Sequence, residues 1–172
     1  MNIEHNQLID VYVGSPTPDA IECQSTIPSW APIFEEHFPE NPILPGALLV
    51  ETMAQAAGFI DMLKSDFSRM AYLAAVKSAK FKAYARAGES LVIRVQATHW
   101  DDHFMVCEAA VTGADGRALA SATLTLKFAP FASDRMRHTF VTLLSGPRRV
   151  PRLPEAPLFS QQLASPTKEF IV

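Results

Sequence analysis

The sequence predicts an α+β fold in which one long helix is wrapped by an antiparallel sheet. Two observations carry that expectation. The first is the run from Pro45 to Leu63, "PGALLVETMAQAAGFIDML", which opens with proline at a helix start and shows no broad polar face at the helical period. A helix apolar on all sides needs cover on all sides, and in a chain of 172 residues a curled sheet supplies it. The second is the order of the remaining segments. Strand material precedes the helix, and three or four alternating segments separated by turn residues follow it.

Taken in order, residues 8 to 28 read as irregular strands, "LIDVYVG" and "AIECQSTI", joined by a turn at "SPTPD". Residues 30 to 45 form a connection through Pro32, Pro39, Pro42 and Pro45. It is expected to be extended, because proline restricts its own φ and the residue before it. The long helix follows. "YLAAVKSAKFKAYA", residues 72 to 85, has helix-favouring alanines, but its neighbours alternate and "RAGES" supplies a turn, so strand is the better reading. "SLVIRVQATHW" is a strand, "DDH" a hairpin tip, "FMVCEAAVTG" the returning strand, "ADGR" a turn and "ALASATLTLKFA" the closing strand. The domain is expected to span residues 1–130.

Residues 131–172 differ in character. They hold Pro147, Pro151, Pro154, Pro157 and Pro166, with one short apolar run, "TFVTLL". This tail carries a net charge of +3, against -6 for residues 1–130. Two readings stand: a poorly ordered terminus, or a tail that covers a sheet edge or contacts a partner.

The composition, 48% hydrophobic and 19% charged, is that of a folded protein. A net charge of -3 gives no signature of nucleic-acid binding. Cys23 and Cys107 stand far apart without a C-x-x-C motif, which argues against a disulfide framework or zinc knuckle and suits a reducing compartment. "MNIEHNQLIDVYVG" lacks the basic and apolar regions of a secretion signal. The run from Ile43 to Ile60 is near the minimum spanning length but carries Glu51 and Gln55. The expectation is a cytoplasmic protein without a membrane span.

The chemistry centres on Glu51. It shares a narrow polar stripe with Gln55, one helical turn on, while Asp61 near the helix end is expected to reach solvent. Burying a carboxylate without a counter-charge favours its neutral form, and no Lys or Arg lies between residues 37 and 63. A neutral buried acid is a proton donor. His37 opens "HFPENPILPG", a connector anchored by Phe38, Ile43 and Leu44, and so is the candidate base. Gly46 lies in the first helical turn, where free amides and the macrodipole favour an oxyanion or carbonyl. In "HWDDH", residues 99 to 103, two histidines flank two aspartates, but the stretch sits at a hairpin tip without further ligands, so no metal is assigned.

The stretch "HFPENPILPGALLVETMAQAAG" resembles the signature of the 3-hydroxyacyl-[acyl-carrier-protein] dehydratases of type II fatty-acid synthesis, the FabZ/FabA family. The matching elements are His-Phe-Pro, Pro-x-x-Pro-Gly and Leu-x-x-Glu-x-Met-Ala-Gln, with glutamate pointing to the FabZ branch. The likeness extends over roughly residues 20 to 128, and "AKFKAYARAGESL" is similar to a later strand of the family. Four features depart from it: Glu36 where glycine is usual, Glu40-Asn41 for Gly-His, Ala83 and Ala87 for prolines, and no His-Arg-Tyr-Pro-Phe segment. The resemblance implies the hotdog fold, a homodimer or higher homo-oligomer, and a site built across the interface, with His37 of one chain facing Glu51 of the other.

The implied reaction removes water from a (3R)-hydroxyacyl thioester on acyl carrier protein, in fatty-acid or a related lipid, polyketide or polyene synthesis. In it His37 takes the α-proton, Gly46 N–H polarises the carbonyl, Glu51 protonates the departing hydroxyl and Gln55 orients Glu51. No cofactor is implied. Lys77, Lys80, Lys82 and Arg86 lie in a stretch without acids and are the candidate landing patch for the acidic carrier. A hotdog thioesterase and a non-catalytic acyl-chain or carrier-binding module are the alternatives.

Overall fold

The computed structural model describes residues 1–3 and 7–145. The chain runs β1 (Val11–Gly14), β2 (Ala20–Thr26), α1 (Ile33–Glu36), α2 (Gly46–Lys64), β3 (Met70–Phe81), β4 (Ser90–Trp100), β5 (Phe104–Gly113), β6 (Ala118–Ala129) and α3 (Asp134–Ser145). The six strands form one sheet in the order β1-β2-β4-β5-β6-β3, every neighbouring pair antiparallel.

The sheet curls around α2, which touches β2, β3, β4, β5 and β6. Leu49, Met53, Ala56, Ala57, Phe59, Ile60 and Met62 of α2 are all buried. They meet inward-facing residues set by strand alternation, such as Met105, Cys107, Ala109 and Val111 of β5. Thr52, also buried inside the wrap, donates its hydroxyl to the Leu48 carbonyl at 2.7 Å and so carries no unmet hydrogen bond. By length and composition α2 is apolar enough to cross a membrane, but most of it lies inside this sheet. Burial pushes the Cys107 thiol up to about 12 and raises that of Cys23, so both sulfurs are inert core groups.

The expected helix and the strands after it are present, and the fold is the hotdog arrangement. Three local expectations are corrected. The connector is not extended throughout. It contains the turn α1, and Phe38 (φ 60°) and Glu40 (φ 65°) adopt left-handed backbone. Proline constrains itself and its predecessor, but the Asn41 N–H donates to the Phe38 carbonyl at 2.9 Å and closes a tight turn with Pro39 and Glu40 at its centre. Strand β3 stops at Phe81 rather than 85, because its pairing with β6 ends at Ala120. Residues 82 to 88 instead hold the connector: Leu44 N–H donates to the Ala85 carbonyl at 2.7 Å and Ala87 N–H to the Pro42 carbonyl at 3.1 Å.

The third correction concerns Asp61, which does not reach solvent. It is fully buried and accepts from Arg69 Nε at 3.1 Å and Nη2 at 3.0 Å. The Arg69 guanidinium also stacks 4.1 Å from the Phe128 ring centroid. The chain reverses after α2 and delivers Arg69 to the acid at the start of β3.

Beyond residue 130 the chain continues into α3. Ser133 caps it, its hydroxyl accepting the Met136 N–H at 3.2 Å, and Arg137 Nε donates to the Phe67 carbonyl at 2.8 Å. The rest of the basic tail, residues 146–172, lies outside the described residues.

Candidate active site

Along α2, Glu51, Gln55, Gly58 and Met62 fall at intervals of three and four, one stripe on the helix surface. This stripe lines a cavity of about 560 Å³, closed on its other sides by Ile9, the start of β3 at Met70–Leu73, and Thr139 and Phe140 of α3. Glu51 and Gln55 are only partly buried along it, whereas Gly58 and Met62 farther on are buried. Glu51 is half-buried at the cavity wall rather than sealed in the core. Gln55 Nε2 donates to Glu51 Oε1 at 3.0 Å, and Gln55 Oε1 accepts the Leu8 N–H at 3.0 Å. The N-terminal segment thereby fixes the amide that fixes the acid.

Gly46 begins α2 behind Pro45, whose side chain provides no cap, so the first amides of the helix point out without an intrahelical acceptor. A Cβ on Gly46 would lie 2.8 Å from the Phe81 ring, a contact only glycine avoids without displacing that ring. His37 follows α1, its N–H donating to the Ile33 carbonyl at 2.9 Å and its ring set edge-on to Phe38 at 4.4 Å between centroids. Among the described residues, His37 forms no hydrogen bond to Glu51 within one chain, nor does it line the cavity. One chain thus brings together Glu51 and Gln55, and leaves His37 outside.

A family model described as a FabA-like domain matches residues 14–123. The chain belongs to the FabA-like family. The FabA-like domain is 34% identical over 110 residues to a 3-hydroxyacyl-[acyl-carrier-protein] dehydratase FabZ of Lactobacillus helveticus, covering 62% of this chain and 72% of that protein. It is 38% identical over 94 residues to a FabZ of Latilactobacillus sakei, covering 54% and 66%. Against a FabZ of Lactiplantibacillus plantarum the match is 44% over 64 residues, 37% of this chain and 44% of the relative. The span matched by the family model, residues 14–123, includes His37 and Glu51. Among solved structures, the dehydratase heterocomplex ApeI:P of Xenorhabdus doucetiae aligns with a TM-score of 0.59 at 17% identity, over 78% of this chain and 90% of that one. A putative thioesterase of Lactococcus lactis aligns equally well, 0.59 at 13% identity, over 76% and 98%. At such identities the likeness speaks for the hotdog fold alone.

The other sequence candidates fall elsewhere on the FabA-like domain. Lys77 and Lys80 are exposed on β3, and Lys82 and Arg86 are exposed in the loop after it. Arg86 Nη1 donates to the Asn41 side chain at 3.2 Å, tying the patch to the connector that carries His37. In "HWDDH", Asp101 accepts the N–H groups of His103 and Phe104 at 2.7 and 3.0 Å, which hold its carboxyl below the usual range, and contacts His99 Nε2 at 3.2 Å. The stretch is a turn-closing motif. Gly58 and α3 were not legible as site components, because only the packed helix shows that they share a wall with Glu51.

Proposed function

We propose that two copies of this chain pair to dehydrate (3R)-hydroxyacyl thioesters carried on acyl carrier protein, giving trans-2-enoyl thioesters. The observation that carries the reading is Glu51, held by Gln55 at the wall of an apolar cavity, in a chain of the FabA-like family. In the reaction His37 of one copy accepts the α-proton, and the C2–H electrons form the C2=C3 double bond. The C3–O bond breaks as Glu51 of the other copy protonates the hydroxyl, which leaves as water. The Gly46 N–H stabilises the negative charge developing on the thioester oxygen. His37 then returns its proton, by way of solvent, to Glu51.

The second copy is supported by the shape of the sheet. Strand β3 is a long edge, exposed from Tyr72 onward, with Leu73, Val76 and Phe81 open to solvent. Its outer N–H and C=O groups are a template for another strand. Pairing two such edges makes one continuous sheet and brings the connector of each copy toward the helix of the other. Lys77, Lys80, Lys82 and Arg86 would receive the acidic carrier: the first two still project from the sheet faces when β3 is paired, and the other two lie in the loop after it. A cytoplasmic setting suits two buried free thiols.

The test uses 3-hydroxyacyl and plain acyl thioesters on carrier protein, followed by mass spectrometry. Loss of water from the first is the expected result, and His37→Ala and Glu51→Gln should each lower its rate by about 10²–10⁴-fold. Release of free thiol from both substrates, or no reaction with either, contradicts the assignment.

A further inference from the structure

The family match ends at residue 123, and α3 begins eleven positions later, at Asp134. Yet α3 contributes Thr139 and Phe140 to the same cavity that Glu51 lines. Phe140 stacks edge-on against Phe59 of α2 at 6.3 Å between centroids and lies 6.1 Å from Phe131. Phe59 follows Gly58 on α2, so Phe140 meets the helix beyond that glycine. Glu51 lies toward the helix start and Met62 toward its end, about 16 Å apart at 1.5 Å per residue. The stripe between them changes from acid and amide to glycine and methionine, so the cavity is polar where the chemistry would occur and apolar away from it.

We propose that α3 is the end wall of the acyl site and sets the length of chain that this protein accepts. The inference rests on the reading above, that Glu51 faces a carrier-bound acyl thioester, and it assigns the far end of the cavity to the hydrocarbon tail. Gly58 leaves the floor open midway: a Cβ there would meet only the Ala71 carbonyl at 3.8 Å and the Met62 methyl at 3.9 Å. The limit on chain length is therefore set beyond it, where Phe140 closes on Phe59. Since Ser133 and Arg137 fix the helix by hydrogen bonds, the wall is held in place rather than draped.

Two substitutions move the wall in opposite directions. Phe140→Ala removes the closing ring, and Thr139→Trp adds bulk from an exposed position whose change leaves the core untouched. Turnover of 3-hydroxybutyryl, 3-hydroxydecanoyl and 3-hydroxypalmitoyl thioesters is compared among wild type and both variants. Binding of unreactive S-alkyl pantetheine thioethers of the same lengths is measured by calorimetry. Phe140→Ala should raise the long-to-short ratio of kcat/KM at least tenfold, Thr139→Trp should lower it by a similar factor, and the binding optimum should shift the same way. An optimum that stays at one length in all three proteins overturns the inference, whether or not water is lost. A shifting optimum without dehydration keeps the wall and removes the reaction assigned to Glu51.

Discussion

At Asp61 and Arg69 the physics of a single pair decides local stability. Asp61 has no exposure to solvent, and Arg69 supplies three hydrogen bonds to its carboxylate while its guanidinium stacks on Phe128. Removing one partner of such a pair strands the other charge in the core. Arg69→Met is expected to cost about 3–5 kcal/mol in urea unfolding, and the double substitution with Asp61→Leu to recover most of that. A single variant within about 1 kcal/mol of wild type would show the pair to be idle. Glu40 poses the opposite case. Its φ of 65° costs a non-glycine residue about 1–2 kcal/mol, and glycine gives back about 0.5–1 in chain entropy. Glu40→Gly should therefore stabilise the protein by about 0.5–1 kcal/mol, and a loss of stability would mean that the side chain is used. Both residues explain what the sequence concealed. Asp61 finds a partner across a chain reversal that no local pattern reveals, and Glu40 contradicts its own backbone preference in a turn whose geometry suits glycine.

The long elements were legible because their signals agree at every level. Helix α2 has proline at its start and apolar residues all round, and it runs within one residue of the expected span. Strands β4, β5 and β6 alternate and are separated by turn residues, so their existence and order follow from period alone. Helix α3 was masked by averaging. Proline content over residues 131–172 describes the last part of that segment, whereas "SDRMRHTFVTLLS" itself has an N-cap serine and apolar residues at helical spacing. Ser133→Ala removes the cap and is expected to weaken α3 by about 1 kcal/mol. Amide exchange along residues 134 to 142 should speed up while α2 is unchanged. Equal protection in both proteins would mean that tertiary packing alone holds the helix.

Taken whole, a single copy of the molecule presents half of the proton-transfer site proposed above. Glu51, Gln55 and the Gly46 amide belong to one helix and are positioned by it, while His37 sits on a strap tied to the loop after β3, outside the cavity. The candidate residues were named from the motif, since residue types and spacing survive in sequence. Their separation within one chain was not, because it depends on where the connector is pinned. The long exposed edge of β3 offers the means to join the halves. The most direct measurement is subunit complementation. His37→Ala and Glu51→Gln proteins, each inactive alone, are unfolded together, refolded and assayed for dehydration. A site shared between copies predicts that mixed assemblies regain activity, because each contains one pairing of intact His37 with intact Glu51. Mixed assemblies that form yet stay as inactive as either variant alone would contradict the shared site.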